Sequence, residues 1–151
     1  MGQVYISFIS INGIPWKICG TDRGITEIYP TDEIPVLHEN ALTAWAVKEI
    51  KEYLAVEREI FTFPLALHGT PFQLTVWNAL REIPFGKTVS YSHIANAIGK
   101  PTAVRAVGQA IGSNPCLIAV PCHRVVGKNG TLIGFSAGLS WKRFFLDIES
   151  I

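Results

Sequence analysis

The punctuation His68-Gly69-Thr70-Pro71 limits the fold of this chain more than any other feature, because the apolar residues repeat differently on its two sides. Thr70 is placed to cap a helix, and Pro71 to occupy its first position, where a missing N–H is no loss. Upstream, Val4-Tyr5-Ile6-Ser7-Phe8-Ile9-Ser10-Ile11 and Ile14-Pro15-Trp16-Lys17-Ile18-Cys19 read as strands joined by an Asn12-Gly13 hairpin turn. Asp22-Arg23-Gly24 turns the chain into a third short strand, Ile25 to Tyr29. From about Asn40 to Glu57 the pattern is helical. Leu42, Trp45, Ala46, Ile50, Tyr53 and Leu54 line one face, with Lys48, Glu49, Lys51 and Glu52 largely elsewhere. Phe61 to Gly69 is an extended connector containing Pro64. The expectation is an α/β module, an antiparallel sheet plus a helix, over residues 1–69, and a separate domain over 70–151.

Downstream the elements are short and helical. Phe72, Val76, Trp77 and Leu80 form one apolar face, ended by Pro84-Phe85-Gly86. Ser90 caps a second helix with the face Tyr91, Ile94, Ala95 and Ile98, and Gly99 stops it. Lys100 leads into Pro101 at the start of a third, which runs through Ala103, Val104, Val107, Ala110 and Ile111 to Gly112. A short helix, a tight Gly-containing turn and a second helix predict a mainly α, winged-helix-like (helix-turn-helix) C-terminal domain. Opposite its apolar side the third helix carries Thr102, Arg105, Ala106 and Gln109, with Gly108 nearby. Small residues around one arginine suit close approach to a groove that a single guanidinium penetrates. Helical hairpins that never touch DNA share this pattern. The formal net charge of +1 is low for a nucleic-acid binder. Yet residues 85–130 hold Lys87, Lys100, Arg105, Arg124 and Lys128 and no Asp or Glu, so the basic charge is local.

The chemistry lies in Pro121-Cys122-His123-Arg124-Val125, which follows the apolar run Cys116-Leu117-Ile118-Ala119-Val120, read as a buried strand. A free thiol is only a few per cent ionised at neutral pH, so a cysteine nucleophile needs an adjacent base or positive charge. His123 can be that base if Cys122 sits in a tight turn, and Glu149 or another carboxylate can orient the imidazole. Asn114-Pro115 can turn the chain sharply and present a carboxamide to the same pocket. Isolated Cys-His pairs are mostly accidental, and a core histidine is the default for His123 alone. Three cysteines, Cys19, Cys116 and Cys122, in a cytosol-like sequence argue against a disulfide framework. Without a CxxC or HxxxH pair there is little support for zinc. A cysteine hydrolase forming an acyl-enzyme would use the same pair but would leave the helix-turn-helix segment and Arg105 unexplained.

Ile83-Pro84-Phe85-Gly86-Lys87-Thr88-Val89-Ser90-Tyr91, Arg105-Ala106-Val107-Gly108, Asn114-Pro115 and Pro121-Cys122-His123-Arg124-Val125-Val126 together resemble the O6-alkylguanine-DNA alkyltransferases, or methylated-DNA–protein-cysteine methyltransferases. The resemblance runs on through Gly134-Phe135-Ser136-Ala137-Gly138 and Trp141-Lys142-Arg143 to Glu149, so it covers about residues 70 to 151. It implies that Cys122 takes an alkyl group from O6 of a damaged guanine, once per molecule. His123 is then the base, acting through a water, Glu149 the carboxylate that polarises it, Tyr91 the proton donor near the base, and Asn114 the brace of the turn. Arg105 is the finger that fills the space of a base flipped from the minor groove. Thr102, Ala106, Gly108, Gln109, Tyr91 and Arg124 accompany it at the DNA, and Pro121, Val125, Phe135, Ser136 and Ala137 line the alkyl and base pocket.

The same resemblance implies no cofactor, no metal for the transfer, and double-stranded DNA carrying O6-alkylguanine as the partner of a monomer, leaving open cooperative binding and action on O4-alkylthymine. A related branch only senses alkylated DNA and carries Trp in place of the cysteine, so Cys122 argues for transfer. Phe135 and Ala137 stand where many members have Tyr and Gly, which implies a tighter pocket. The sequence lacks an apolar run of about 18 residues, and its start lacks a secretory pattern. Ile6 stands where a Met1-Gly2 myristoylation motif wants Ser or Thr. A cytoplasmic protein is expected.

Overall fold

A computed structural model describes residues 3–150; the Met1-Gly2 acylation reading and Ile151 fall outside them. The chain forms two compact units that divide after His68.

In the first unit β1 (Tyr5–Ile11), β2 (Ile14–Gly20) and β3 (Ile25–Pro30) form an antiparallel sheet in that order. Asn12 and Gly13 both take positive φ, 52° and 78°, which a two-residue hairpin needs to follow the strand twist. Alternation along the strands buries Ile9, Ile11, Trp16, Ile18, Ile25 and Ile28. Helix α1 (Ala41–Leu54) packs against the sheet through Ala46, Ile50 and Tyr53. A reciprocal cap starts it: Asn40 Oδ1 accepts from Thr43 N at 2.9 Å, and Thr43 Oγ1 from Asn40 N at 3.1 Å.

Two residues of α1 depart from the expected pattern. Trp45 is 40% exposed, and Glu49, expected among the solvated charges, is 2% exposed. The cause is non-local. Glu49 Oε1 accepts from the Thr62 and Phe63 backbone N–H groups at 2.6 and 3.3 Å, and Oε2 from Trp45 Nε1 at 3.0 Å and from the Thr62 hydroxyl. Arg58 Nη1 lies 3.4 Å from Oε2. The carboxylate thus serves the donors of a connector that has no sheet partner of its own there. Burial works against its charge, but the Thr62 and Trp45 hydrogen bonds and Arg58 outweigh it and hold the carboxyl below its ordinary 4.5. With the folded value depressed, the stabilisation is complete above that ordinary value and is lost as pH falls through the folded one. Glu49→Ala is expected to cost roughly 3 kcal/mol, because buried donors lose their acceptor. Urea unfolding at neutral pH measures the loss, and the gap from wild type should narrow in acid.

The second unit starts with α2 (Pro71–Leu80). Thr70 Oγ1 accepts from Gln73 N at 3.1 Å and Gln73 Oε1 from Thr70 N at 2.9 Å, so this cap is also reciprocal. The helix buries Val76, Trp77 and Leu80, and Trp77 Nε1 donates to the Ala110 carbonyl at 2.8 Å. That bond ties α2 to the helix-turn-helix pair α3 (Tyr91–Ala97) and α4 (Val104–Gly112), which meet through Ile94, Ala95, Val107 and Ala110. Ser90 Oγ accepts from His93 N at 3.1 Å, and Gly99 stops α3 at φ 75°. α4 begins later than expected. Ala103 N closes a turn on Lys100 O at 2.9 Å, leaving Pro101 and Thr102 ahead of the helix.

The run Cys116–Val120 is buried but is not a strand. It coils, with Val120 N on Cys116 O at 2.9 Å and Ile118 at φ 75°. Asn114 replaces a strand partner at both ends of the coil: its Oδ1 accepts from Cys116 N at 2.9 Å and its Nδ2 donates to Val120 O at 2.8 Å. Beyond it, β5 (Val125–Val126) pairs in parallel with β4 (Val89–Ser90), and α5 (Leu139–Glu149) closes the unit. Among the described residues no helix is long and apolar enough to cross a membrane.

Candidate active site

Cys122–Arg124 is a single 3-10 turn, opened by Cys122 N on Val120 O at 2.8 Å and closed by Arg124 N on Pro121 O at 3.0 Å. The Val120 carbonyl is the group Asn114 also holds, so the brace reaches the nucleophile's own peptide. At its other end the turn runs into β5, whose register, Val89 with Val125 and Ser90 with Val126, ties it to the two residues before α3. The chain thereby carries Cys122 to the start of the helix-turn-helix. Three residues per turn separates neighbouring side chains by roughly 120°, so Cys122 and His123 need not face opposite ways as they would in a strand.

His123 has no exposed surface, and its Nε2 lies 2.6 Å from Glu149 Oε2. Glu149 is held as a charged acceptor by Arg124, with Nε to Oε1 at 2.8 Å and Nη2 to Oε2 at 3.0 Å, and by Gly86 N at 3.2 Å. Gly86 fits for two reasons: its φ is 80°, and a Cβ would stand 3.3 Å from the Glu149 carbonyl oxygen. Facing a carboxylate, Nε2 carries the imidazole proton. Nδ1, which has no hydrogen bond to a protein group, is then a bare acceptor.

Burial pulls the imidazole below its ordinary 6.5 against the Glu149 hydrogen bond, so His123 is neutral at physiological pH. Burial likewise pushes the Cys122 thiol up to about 11, with Asn114 and the Lys142 ammonium pulling the other way. The resting pair is a protonated thiol and an unprotonated imidazole, which is a nucleophile awaiting general-base help. Tyr91 is raised too, by burial first and then by the Cys122 sulfur, so its hydroxyl keeps its proton to donate.

Residues 71–151 match the family model for the DNA-binding domain of 6-O-methylguanine DNA methyltransferase, over half of the chain. The chain belongs to that family. A stretch of 111 residues, 74% of this chain, is 59% identical to the inducible methylated-DNA–protein-cysteine methyltransferase of Bacillus subtilis, and spans 62% of that protein's length. The methylated-DNA–protein-cysteine methyltransferase of Mycobacterium leprae is 45% identical over 125 residues, 83% of this chain and 76% of that protein. Among solved structures, the O6-methylguanine methyltransferase of Mycobacterium tuberculosis superimposes with a TM-score of 0.88 at 37% identity, covering 98% of this chain and 93% of that one. A structure of the Mycobacterium tuberculosis protein in complex with DNA matches with a TM-score of 0.86 at 39% identity, over 95% and 91% of the two chains. The family's two-part build, an N-terminal α/β module and a helical C-terminal domain, is the build described above.

The structure brings some of the residues singled out from the sequence together and sets others apart. Cys122, His123, Glu149 and Asn114 converge on the Cys122–Arg124 turn. Arg105, Ala106 and Gln109 are exposed on α4, and Thr102 is exposed in the turn before it. Arg124 is a correction. Only 6% exposed, it spends its guanidinium on Glu149 and on the Ile83 carbonyl, 2.7 Å from Nη1, so it is a brace of the site and not a DNA contact. Val125 has no exposed surface and pairs with Val89 in the short parallel sheet. Phe135 and Ala137 are half-buried, Ser136 is exposed, and Pro121 is buried. Phe145 joins the site to this wall, its ring centroid 5.6 Å from that of His123 and 6.5 Å from that of Phe135.

Sequence reasoning gave Lys142 no role beyond its place in the resemblance. It is fully buried, with Nζ donating to the carbonyls of Ile133 at 2.7 Å and Gly134 at 3.1 Å. A lysine at an inward position of an amphipathic helix was the available signal.

Proposed function

We propose that this protein repairs DNA by direct reversal, moving a methyl or other alkyl group from O6 of guanine to Cys122 in a single irreversible event. The observation that carries the reading is the Cys122–His123–Glu149 arrangement: a buried thiol sharing one 3-10 turn with an imidazole whose Nε2 is committed to a carboxylate and whose Nδ1 is a bare acceptor. In the transfer a sulfur–carbon bond forms as the O6–carbon bond breaks in line. The thiol proton passes through a water to His123 Nδ1, and the departing guanine takes one proton from the Tyr91 hydroxyl. The proton on the imidazolium returns to the tyrosinate through solvent, so both side chains end neutral. The net change is one alkyl group gained by sulfur and one proton gained by guanine. A thioether is not hydrolysed under cellular conditions, so each molecule acts once.

The target atom lies inside a duplex, so the nucleotide must leave the stack. Arg105, exposed on α4 among Ala106 and Gln109, is the side chain available to fill the gap from the minor groove. A methyl at Gly108 would meet only the Tyr91 ring, at an ordinary 3.9 Å, so packing within the protein does not demand glycine there. Close approach of the helix to DNA supplies a reason for it. The alkyl pocket is read as Pro121, Phe135, Ser136 and Ala137. The partner is double-stranded DNA, met by a monomer in the cytoplasm, with no cofactor.

The decisive experiment is intact-mass measurement after incubation with a duplex containing O6-methylguanine, followed by peptide mapping. The expected result is one methyl in place of one hydrogen, on Cys122, saturating at one per molecule. Tight lesion binding with no mass gain would make this a damage sensor and overturn the transfer reading. The pocket makes a further prediction: Ala137→Gly should raise the rate of inactivation by O6-benzylguanine by about tenfold, the scale of one or two well-placed methylenes. Equal rates in the two proteins would remove Ala137 as the restriction.

A further inference from the structure

The segment from Thr131 to Gly138, which carries Phe135, Ser136 and Ala137, has no regular structure, and the described hydrogen bonds leave it few anchors. Two of them converge on one atom. The Ile133 carbonyl accepts from the Tyr91 hydroxyl at 3.1 Å and from Lys142 Nζ at 2.7 Å. One donor comes from α3 of the helix-turn-helix and the other from α5, the helix that also carries Glu149. The next residue is fitted to this junction: Gly134 has φ 63°, and a Cβ there would stand 3.2 Å from the Tyr91 hydroxyl oxygen. Gly134 also gives its carbonyl to Lys142 at 3.1 Å.

A phenol has one hydrogen to donate. If Tyr91 gives it to a guanine in the pocket, it must withdraw it from Ile133, and the loop loses that anchor at the moment the base arrives. Lys142 has no such conflict. Its ammonium carries three hydrogens, two of them committed to consecutive carbonyls of the same loop, and its stem is wholly buried. We propose that Lys142 is the positioning residue that holds the pocket wall in place while the Tyr91 hydroxyl switches from the Ile133 carbonyl to the substrate base. The inference rests on the reading of Tyr91 as the donor to a flipped guanine.

Burial lowers the Lys142 ammonium to about 8, partly opposed by the Cys122 sulfur, so the clamp is charged in most molecules at neutral pH. The same charge stands within electrostatic reach of the nucleophile, which favours the thiolate as it forms. Lys142 is thereby coupled to the two parts of the reaction that must coincide, base seating and thiol ionisation.

The test compares wild type, Tyr91→Phe, Lys142→Met and Lys142→Arg by hydrogen exchange of residues 131–138 and by single-turnover transfer from an O6-methylguanine duplex. In the free protein, Tyr91→Phe should leave the loop amides within about threefold of wild-type exchange, because Lys142 still holds Ile133. With lesion duplex bound, Lys142→Met should expose the loop by about tenfold more than undamaged duplex does, while the wild-type loop stays protected. Its transfer step should slow by about 10²-fold at saturating protein, the scale of a misplaced reacting centre, with affinity for undamaged duplex unchanged. Lys142→Arg, which keeps charge and donors, should recover most of that loss.

Lys142→Met transferring at the wild-type rate, or its loop exchanging equally on damaged and undamaged duplex, would overturn the proposal. If Lys142→Met does not fold, the Tyr91→Phe arm decides: protected loop amides support the clamp, and amides exposed more than about tenfold sink it. Failure of the repair reading is separately visible, because wild type would then gain no methyl on Cys122 whatever the loop does.

Discussion

Cys122→Ala is expected to abolish alkyl transfer, by roughly 10⁴-fold or more, the scale on which removing a covalent nucleophile acts. Neither other thiol sits in the turn that carries His123: Cys19 belongs to the first unit, and Cys116 lies in the coil before the turn. The variant should stay folded. Cys122 is itself 4% exposed, so the change deletes one buried atom and costs on the order of 1 kcal/mol. Its turn is held by backbone hydrogen bonds and by the Asn114 bonds to Cys116 N and Val120 O, all of which remain when the sulfur is removed. Affinity for undamaged duplex should remain within about threefold, since α4 and Arg105 are untouched and phosphate contacts dominate such binding. Cys122→Ser sharpens the test. A hydroxyl starts from a far higher pKa than the thiol, so His123 should be unable to raise a useful nucleophile there. Transfer from O6-methylguanine duplex by Cys122→Ala, measured as label moving to protein, would remove Cys122 from its assigned role.

What could be read from the sequence was local. The caps at Thr70 and Ser90, the hairpin at Asn12-Gly13 and the stop at Gly99 each depend on residues within three positions, and each forms as expected. The Cys122-His123 pair was recognisable for the same reason. Misread residues are those whose partners lie far along the chain. Glu49 was placed with the solvated charges because its acceptor role is set by Thr62 and Phe63, 13 and 14 residues later. Arg124 reads from the sequence as a cation free to meet DNA, because nothing near it announces Glu149, 25 residues away, or Ile83, 41 residues back. Cys116–Val120 has the composition of a buried strand, and burial is correct, but Asn114 supplies the hydrogen bonds a sheet would have supplied. Composition fixed what is inside and could not fix what pairs with it.

Glu149 is the residue on which fold and chemistry meet, and two substitutions there should separate them. Glu149→Ala leaves the Arg124 guanidinium buried without its counter-charge and the His123 Nε2 proton without an acceptor. Breaking a buried ion pair from one side costs about 3–5 kcal/mol, so the denaturation midpoint of the second unit should fall steeply. Glu149→Gln keeps the shape and one acceptor, so it should fold better while still failing at the chemistry. His123 is already held below its ordinary 6.5 by burial, with the Glu149 hydrogen bond the first influence pulling it back up. Removing the carboxylate charge lowers the imidazole further and makes it a poorer acceptor for a thiol near 11. Transfer at neutral pH should drop by about 10²-fold or more, the range of a lost general base. A buried neutral histidine stabilises the fold above its ordinary pKa, and that contribution is lost as pH falls and the unfolded chain takes up the proton. The acid loss of stability should therefore be steeper in Glu149→Gln than in wild type. Single-turnover rates at neutral pH, with urea midpoints at neutral pH and at about pH 5.5, within the range where histidine titrates, measure both effects. A Glu149→Gln protein that transfers methyl groups at the wild-type rate would show that the carboxylate serves only to hold Arg124.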